Sequence, residues 1–114
     1  MEAAQTELNM YDLAMLLDFY GQLLTENQFN CLDLHVNQDL SMSEIAEELG
    51  ISRQGVYAFI DTGRRKLAEY EAKLGLYGRF NELRDRLTIV KCDIEKGDTK
   101  SALSELNEVI ANGI

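Results

Sequence analysis

The sequence predicts an all-α protein, and three observations support that prediction. Apolar residues recur every three or four positions along most of the 114-residue chain, which is the period of a helix. The chain contains no proline, so the strongest helix breaker is missing. No alternating β-branched run indicates a strand. The length predicts a single helical domain over residues 1–114, with a helix-turn-helix core at about residues 25–70.

The first predicted helix, from Thr6 to Leu24, carries two apolar stripes at helical spacing. Since one stripe is enough to bury one side of a helix, two stripes predict a helix packed on both sides, within the fold or against a partner. The first stripe comprises Leu8, Tyr11, Met15 and Phe19, and the second comprises Met10, Leu13, Leu17, Tyr20 and Leu24.

Capping-box patterns at Thr25–Gln28 and Ser41–Glu44 predict the starts of the next two helices. Gly50 stands where a left-handed residue ends the second of them, Ile51 is predicted to be buried in the turn, and Ser52 is a favoured N-cap for the helix that follows. The predicted inner faces of the three helices comprise Phe29, Leu32 and Val36, then Ile45, Ala46 and Leu49, then Val56, Phe59, Ile60, Gly63 and Leu67.

A long helical extension and a short C-terminal helix complete the predicted fold. The apolar stripe of the extension changes register at Gly75–Gly78, which fits either a helix break or one overwound helix. We favour slightly the continuous helix, because charged helix formers flank the glycines. Gly97–Thr99 predicts a break with a cap before the last helix. The stripes comprise Ile60, Leu67, Tyr70, Leu74 and Tyr77, then Leu76, Phe80, Leu83, Leu87, Val90 and Ile94, and finally Ala102, Leu103, Leu106, Val109 and Ile110.

Charge is distributed unevenly along the chain. Twenty acidic and eleven basic residues give a net charge of −9, which argues against a protein that coats DNA or an anionic membrane by bulk charge. Most of the bases fall within residues 64–91, either as an ordinary solvated helix face or as a basic strip for nucleic acid, an acidic surface or the acidic first third of a second copy. These bases are Arg64, Arg65, Lys66, Lys73, Arg79, Arg84, Arg86 and Lys91.

The segment Leu40–Ile60 is typical of a helix-turn-helix, in which the second helix can enter the major groove of DNA. It resembles the fourth region of bacterial sigma factors. Helical spacing turns Gln54, Tyr57, Ala58, Asp61 and Arg65 outward. The candidate contacts for nucleic acid or a partner are Ser52, Arg53, Gln54, Tyr57, Arg64, Arg65 and Lys66.

Acidic residues oppose a simple DNA-binding interpretation. Asp61 lies on the same outward face, and the first helix of the motif carries Glu44, Glu47 and Glu48. Carboxylates there would repel phosphate. The motif could therefore read duplex DNA, dock on a protein, or contact RNA or a ribonucleoprotein.

A wider resemblance covers residues 8–87. LLDFYGQLLT (residues 16–25), SRQGVYAFI (residues 52–60) and the phrase from Lys66 to Leu74 occur in the order found in the YlxM family of small bacterial proteins. The genes of that family lie beside those of the signal recognition particle. The resemblance implies a regulatory helix-turn-helix protein that takes part in the particle's targeting pathway, docking on its protein or RNA components. The alternative is a dimeric transcriptional regulator that reads duplex DNA with the helix starting at Ser52.

Other chemistry finds little support in the sequence. Cys31 and His35 are four residues apart, but two ligands are too few for a metal, and we interpret them as a pair beside the core. Cys92 is expected to be buried or half-buried. No nucleophile–base pattern or phosphate loop indicates an enzyme, so we expect no catalytic residues, no metal and no cofactor.

The sequence also predicts where the chain resides and how it associates. Two cysteines are too few for a disulfide framework, and no apolar run reaches 18 residues, so we expect a cytoplasmic protein without membrane insertion. The apolar stripes on the first and long helices predict self-association, as a homodimer.

Overall fold

The protein is all-α, as the sequence predicts. The structure, a computed structural model, describes residues 8–112, and this range contains six α-helices, one 3-10 turn and no strand. The helices are α1 (Met10–Tyr20), α2 (Glu26–Val36), α3 (Met42–Leu49), α4 (Arg53–Leu74), α5 (Leu76–Glu95) and α6 (Thr99–Asn112), and the 3-10 turn is Gly21–Leu23.

The chain divides into two compact units, at the boundary between Gly75 and Leu76. The N-terminal unit (residues 1–75) contains α1 to α4, and the C-terminal unit (residues 76–114) contains α5 and α6. The domain predicted over residues 1–114 therefore comprises two units. The predicted helix-turn-helix core lies within the N-terminal unit.

The core of the N-terminal unit forms around α4, which packs against α1, α2 and α3. Every buried residue of α4 belongs to the inner face predicted from the sequence, while Phe59 is half-buried. The buried apolar residues of this unit are Leu13, Leu16, Leu17, Tyr20, Cys31, Leu32, Ile45, Ala46, Val56, Ile60 and Leu67.

Helix α1 is covered unevenly. Three members of its second predicted stripe are buried, whereas Tyr11 of the first stripe is 58% exposed, and Met15 and Phe19 are half-buried. The helix begins at Met10, where the Asn9 side chain accepts a hydrogen bond from the amide of Asp12 at 2.7 Å. The predicted start at Thr6 lies outside the described residues. The N-terminal unit therefore packs one side of α1 firmly and the other only partly.

Helix α2 starts with the predicted capping box between Thr25 and Gln28. The predicted inner position of Phe29 is wrong: its side chain is 37% exposed and its ring lies over Gly21, where a Cβ atom would be 2.9 Å from Cε1 of Phe29. Leu32 is buried as predicted and Val36 is half-buried, while the other buried residues of this helix are Gln28 and Cys31. The inner face is thus rotated by one residue toward α4.

The change of register after α4 is a helix break, so the slightly favoured continuous helix is wrong. Gly75 adopts a left-handed conformation, with φ of +65°, and its amide donates a hydrogen bond to the carbonyl of Glu71. Glycine adopts this conformation without a Cβ clash, which makes it the common residue just beyond a helix C-terminus. The chain then enters α5 at Leu76.

The C-terminal unit is a helical hairpin. Val90 of α5 and Ala102 of α6 are its only buried residues within the described range. Arg86 donates hydrogen bonds to Glu105 at 2.7 Å and Glu108 at 2.8 Å, and these join the two helices. The break predicted at Gly97–Thr99 is present, with the Asp98 side chain accepting from the amide of Ser101 at 3.1 Å.

Cys92 corrects a further prediction. Its side chain is exposed, because it lies on the side of α5 away from Val90 and α6. Two residues separate Cys92 from Val90, and at about 100° of rotation per residue that places them on nearly opposite sides of the helix.

Candidate functional site

The turn between α3 and α4 has the geometry that a helix-turn-helix requires. Gly50 ends α3 in a left-handed conformation with φ of +69°. The amides of Gly50 and Ile51 both donate to the carbonyl of Ala46. Ser52 then caps α4 by accepting a hydrogen bond from the amide of Gly55 at 2.9 Å. Because a glycine turn and a serine cap stand so close together, the two helices meet at a fixed corner.

The two helices are held together by apolar side chains on their inner faces. Ile45 and Val56 are fully buried, and Ala46 and Ile60 are nearly so. Ile51, predicted to be buried in the turn, is half-buried. This packing fixes which side of α4 points away from the fold.

The outward face of α4 comprises the five residues that the sequence turns outward: Gln54, Tyr57, Ala58, Asp61 and Arg65. Tyr57 is 67% exposed, and the side chain of Arg65 is 71% exposed. Gln54 and Ala58 are also exposed, and Asp61 is half-buried. The predicted orientation of this face is confirmed.

Tyr57 stands between two surface grooves. One groove is lined by Met42, Arg53, Gln54 and Tyr57 itself. An exposed aromatic ring beside an arginine and an amide suits either a stacked base or an apolar side chain of a partner. The second groove is lined by Leu8, Asn9, Met10, Leu13, His35, Met42, Tyr57, Ile60, Asp61 and Arg64.

Asp61 dominates the electrostatics of the outward face. Its carboxylate accepts a hydrogen bond from Arg65 and lies 3.7 Å from the guanidinium of Arg64. The hydrogen bond from Arg65 is the main reason why the pKa of Asp61 lies below its ordinary value, and the charges of Arg65 and Arg64 act in the same direction. The charges of both arginines are therefore partly neutralised by Asp61.

The three consecutive bases at residues 64–66 do not form one cluster. Arg64 and Arg65 pair with Asp61, while exposed Lys66 is turned by about 100° from Arg65 toward another side of α4. The eight bases of residues 64–91 also belong to two different units, four in each. In the C-terminal unit, Arg86 donates a hydrogen bond to Glu105, which raises the pKa of Arg86. Its charge is therefore paired within the hairpin.

Ser52 and Arg53, at the start of α4, are both exposed. The Ser52 oxygen already accepts the capping hydrogen bond, which leaves its O–H donor and one acceptor lone pair for a ligand. Glu44 is engaged in the capping box of α3, where it accepts from the amide of Ser41 at 2.8 Å. Glu47 and Glu48 are exposed on the same helix. The motif thus presents an acidic first helix beside a mixed second helix.

Sequence reasoning missed Met42, which lines both grooves. Met42 directly follows the Ser41 cap, and its side chain lies beside Tyr57. The sequence pattern there indicates the cap but gives no sign of this contact. The interpretation of Cys31 and His35 as a pair beside the core is only partly correct, because His35 is half-buried whereas Cys31 belongs to the core. Cys31 is fully buried, which raises the pKa of its thiol, and Nδ1 of His35 lies 3.2 Å from the carbonyl of Leu40.

A comparison with protein families identifies the chain. Residues 8–108 match the family model UPF0122, described as "Putative helix-turn-helix protein, YlxM / p13 like". The chain belongs to this family. The resemblance found in the sequence is thereby confirmed, and the matched range covers most of both units.

Individual relatives share this family name. A UPF0122 protein of Acetivibrio thermocellus is 51% identical over 92 residues, which cover 81% of this chain and 79% of the relative. One from Clostridium kluyveri is 56% identical over 64 residues, covering 56% of this chain and 58% of the relative. One from Exiguobacterium sp. is 41% identical over 87 residues, covering 76% and 81%.

Within residues 8–112, no helix combines the length and the apolar character that a membrane span needs.

Proposed function

We propose that this protein is a regulatory helix-turn-helix protein of the signal recognition particle pathway, which docks on the particle's protein or RNA through the outward face of α4. The observation that carries the proposal is the exposure of Tyr57, Gln54 and Arg53 around one groove of a helix-turn-helix. The signal recognition particle pathway is inferred from the chain's similarity to the YlxM family. The action is non-enzymatic and cytoplasmic, and it needs neither metal nor cofactor.

The charge of the motif favours docking over the reading of duplex DNA. Specific DNA binding usually requires several cations that neutralise phosphates. Here Asp61 engages Arg64 and Arg65, and Glu47 and Glu48 add exposed negative charge on α3. A protein surface, or RNA with unstacked bases, tolerates such a mixed face better, because Tyr57 can pack or stack without phosphate contacts.

The test is a binding assay with the purified particle, with its separated protein and RNA, and with random duplex DNA. We expect capture of the particle at physiological salt and none of the duplex. Tyr57→Ala and Arg53→Glu should each weaken capture at least tenfold. Lys73→Glu is the matched control, since it makes the same charge change on an exposed residue of the same helix, about 160° around from Tyr57.

A second binding variant addresses the bases at residues 64–66. Replacing Arg64, Arg65 and Lys66 together with Glu should reduce capture if their charges face the ligand. Unchanged capture by this variant would remove these three residues from the interface. Unchanged capture by the Tyr57 and Arg53 variants would overturn the docking proposal.

The second candidate function is a dimeric transcriptional regulator that reads the major groove with α4. The capped start of that helix and the exposed amide of Gln54, which could pair with an adenine edge, favour it. A regulator of this kind would show sequence preference in a DNA selection and a steep loss of affinity with salt. The docking function predicts neither a preferred DNA sequence nor capture of duplex DNA at physiological salt.

We also propose that the protein acts as a homodimer. The partly covered stripe of α1 and the apolar residues exposed on α5 and α6 support self-association.

A further inference from the structure

The C-terminal unit has too little core to account for its own fold. It spans 39 residues, and within its described part only Val90 and Ala102 are buried, at 5% and 2% exposure. Units below about 40 residues usually need a disulfide, a metal or association with another surface. Because the two cysteines of the chain lie in different units, no disulfide can form within this one.

The hairpin has a polar side, which is fixed by hydrogen bonds. Arg86 of α5 meets Glu105 and Glu108 of α6 along this side. Around α5, Arg86 precedes Val90 by about 40°, and around α6 both glutamates precede Ala102 in the same sense. In an antiparallel pair, equal senses of rotation from the contact line lead to the same side of the hairpin.

Apolar side chains lie on the other side. Leu87 and Ile94 follow Val90 by about 40–60° around α5, and Leu103 and Ile110 follow Ala102 by about 80–100° around α6. We call these four residues the apolar face. Their exposed fractions are 42%, 58%, 55% and 75%, in chain order.

We infer that the apolar face of one copy packs against the same face of a second copy, so that the two hairpins form a four-helix bundle. This inference rests on the self-association proposed above and assigns its interface. The apolar face takes two large residues from each helix, seven positions apart, a spacing that returns them to one side for packing against facing helices. Face-to-face contact between identical surfaces also gives the closed two-fold dimer.

The dimensions of the hairpin suit a dimer. Helix α5, with 20 residues, is about 30 Å long, and two helices side by side are about 20 Å wide. Two such faces would bury on the order of 1,000 Å² in total, which reaches the lower range of specific interfaces.

Charge also favours a second copy at this place. The C-terminal unit carries six basic and seven acidic residues, whereas the N-terminal unit carries five basic and thirteen acidic. Two nearly neutral units can meet with little repulsion. Association through two N-terminal units would bring two strongly acidic bodies together.

The test is sedimentation equilibrium of the full chain under reducing conditions, from about 1 to 100 µM. Ile94→Glu should weaken the dimer by about 100-fold, because it places a charge within the apolar contact. Ile89→Glu is the matched control: Ile89 is 52% exposed on the same helix but lies about 140° around from Ile94. We expect it to leave the dimer intact.

Leu103→Glu provides a second interface variant on α6, and circular dichroism of each variant checks that the helices remain folded. If the wild-type chain is a monomer at 100 µM, both the self-association and this interface are overturned. The apolar face would then be covered by something other than a second copy. If the wild-type chain is a dimer and both Ile94→Glu and Leu103→Glu stay dimeric, only the interface is overturned. Equal dissociation of Ile89→Glu would also overturn the assignment.

Discussion

At the scale of single residues, Gly63 allows α4 to approach α2 closely. A Cβ atom at Gly63 would lie 2.7 Å from Cδ1 of Leu32, a side chain that is itself 1% exposed. Gly63→Ala should therefore lower the free energy of unfolding by about 1–2 kcal/mol, since overpacking outweighs the gain in helix propensity. Urea denaturation measures the change. Glu69→Ala, at an exposed position of the same helix, should stay within about 0.5 kcal/mol. A Gly63→Ala variant as stable as the wild type would show that the helices separate without cost.

Asp61 makes a second prediction at this scale. Its folded-state pKa lies below 3.8, so its contribution to stability is fully present above that value and is lost as the pH falls through the lowered pKa. Arg65→Gln removes the main cause, and the pKa of Asp61 should rise toward 3.8. A carboxyl-detected NMR titration measures this shift. Arg53→Gln, on the same helix, should leave the titration of Asp61 unchanged, and an unaltered pKa in Arg65→Gln would contradict the proposed pairing.

At the scale of helices, a tyrosine links the first and the last helix of the N-terminal unit through a hydrogen bond. The hydroxyl of Tyr20, at the end of α1, donates a hydrogen bond to Oε1 of Glu71 in the last turns of α4 at 2.6 Å. Tyr20→Phe should destabilise the protein by about 1.5–3 kcal/mol, because this hydrogen bond is part-buried and involves a charged acceptor. Thermal and chemical unfolding test it. Tyr57→Phe is the control, since the exposed hydroxyl of Tyr57 should contribute little. Equal stability of the two variants would count against the contact.

Helices were predictable from the sequence where local chemistry decides the backbone. The caps at Thr25, Ser41 and Ser52 depend on side chains within three residues, and all three are formed. The break at Gly75 was harder to predict, because an overwound helix and a left-handed cap fit the same change of register. The position of the Phe29 side chain depends on tertiary packing, because its ring covers Gly21 from outside the core.

The candidate site was predictable to the same extent. Helical periodicity alone correctly predicts that Gln54, Tyr57 and Arg65 point outward. It could not show that Met42 from the preceding helix lines the grooves beside Tyr57, since that depends on how α3 crosses α4. Long-range ion pairs were hidden for the same reason: the partners of Arg86 lie 19 and 22 residues further along the chain.

At the scale of the whole molecule, the fully buried large side chains among residues 8–112 all belong to the N-terminal unit. A fragment of residues 1–75 should therefore fold cooperatively, with helicity that does not depend on concentration. In a fragment of residues 76–114, Val90 and Ala102 are the only buried residues of the described part, so its helicity should rise with concentration. Circular dichroism over a 100-fold concentration range checks both expectations. A hairpin fragment with constant helicity would show that it is stable alone.

The contrast between the two cysteines has a practical consequence. Burial protects Cys31 and raises the pKa of its thiol, whereas Cys92 is open to solvent. A maleimide dye or spin label should thus attach at one position of the native protein without any engineered substitution. The same asymmetry means that air oxidation could crosslink two chains through Cys92, and a covalent pair of that kind would imitate genuine assembly on a sizing column.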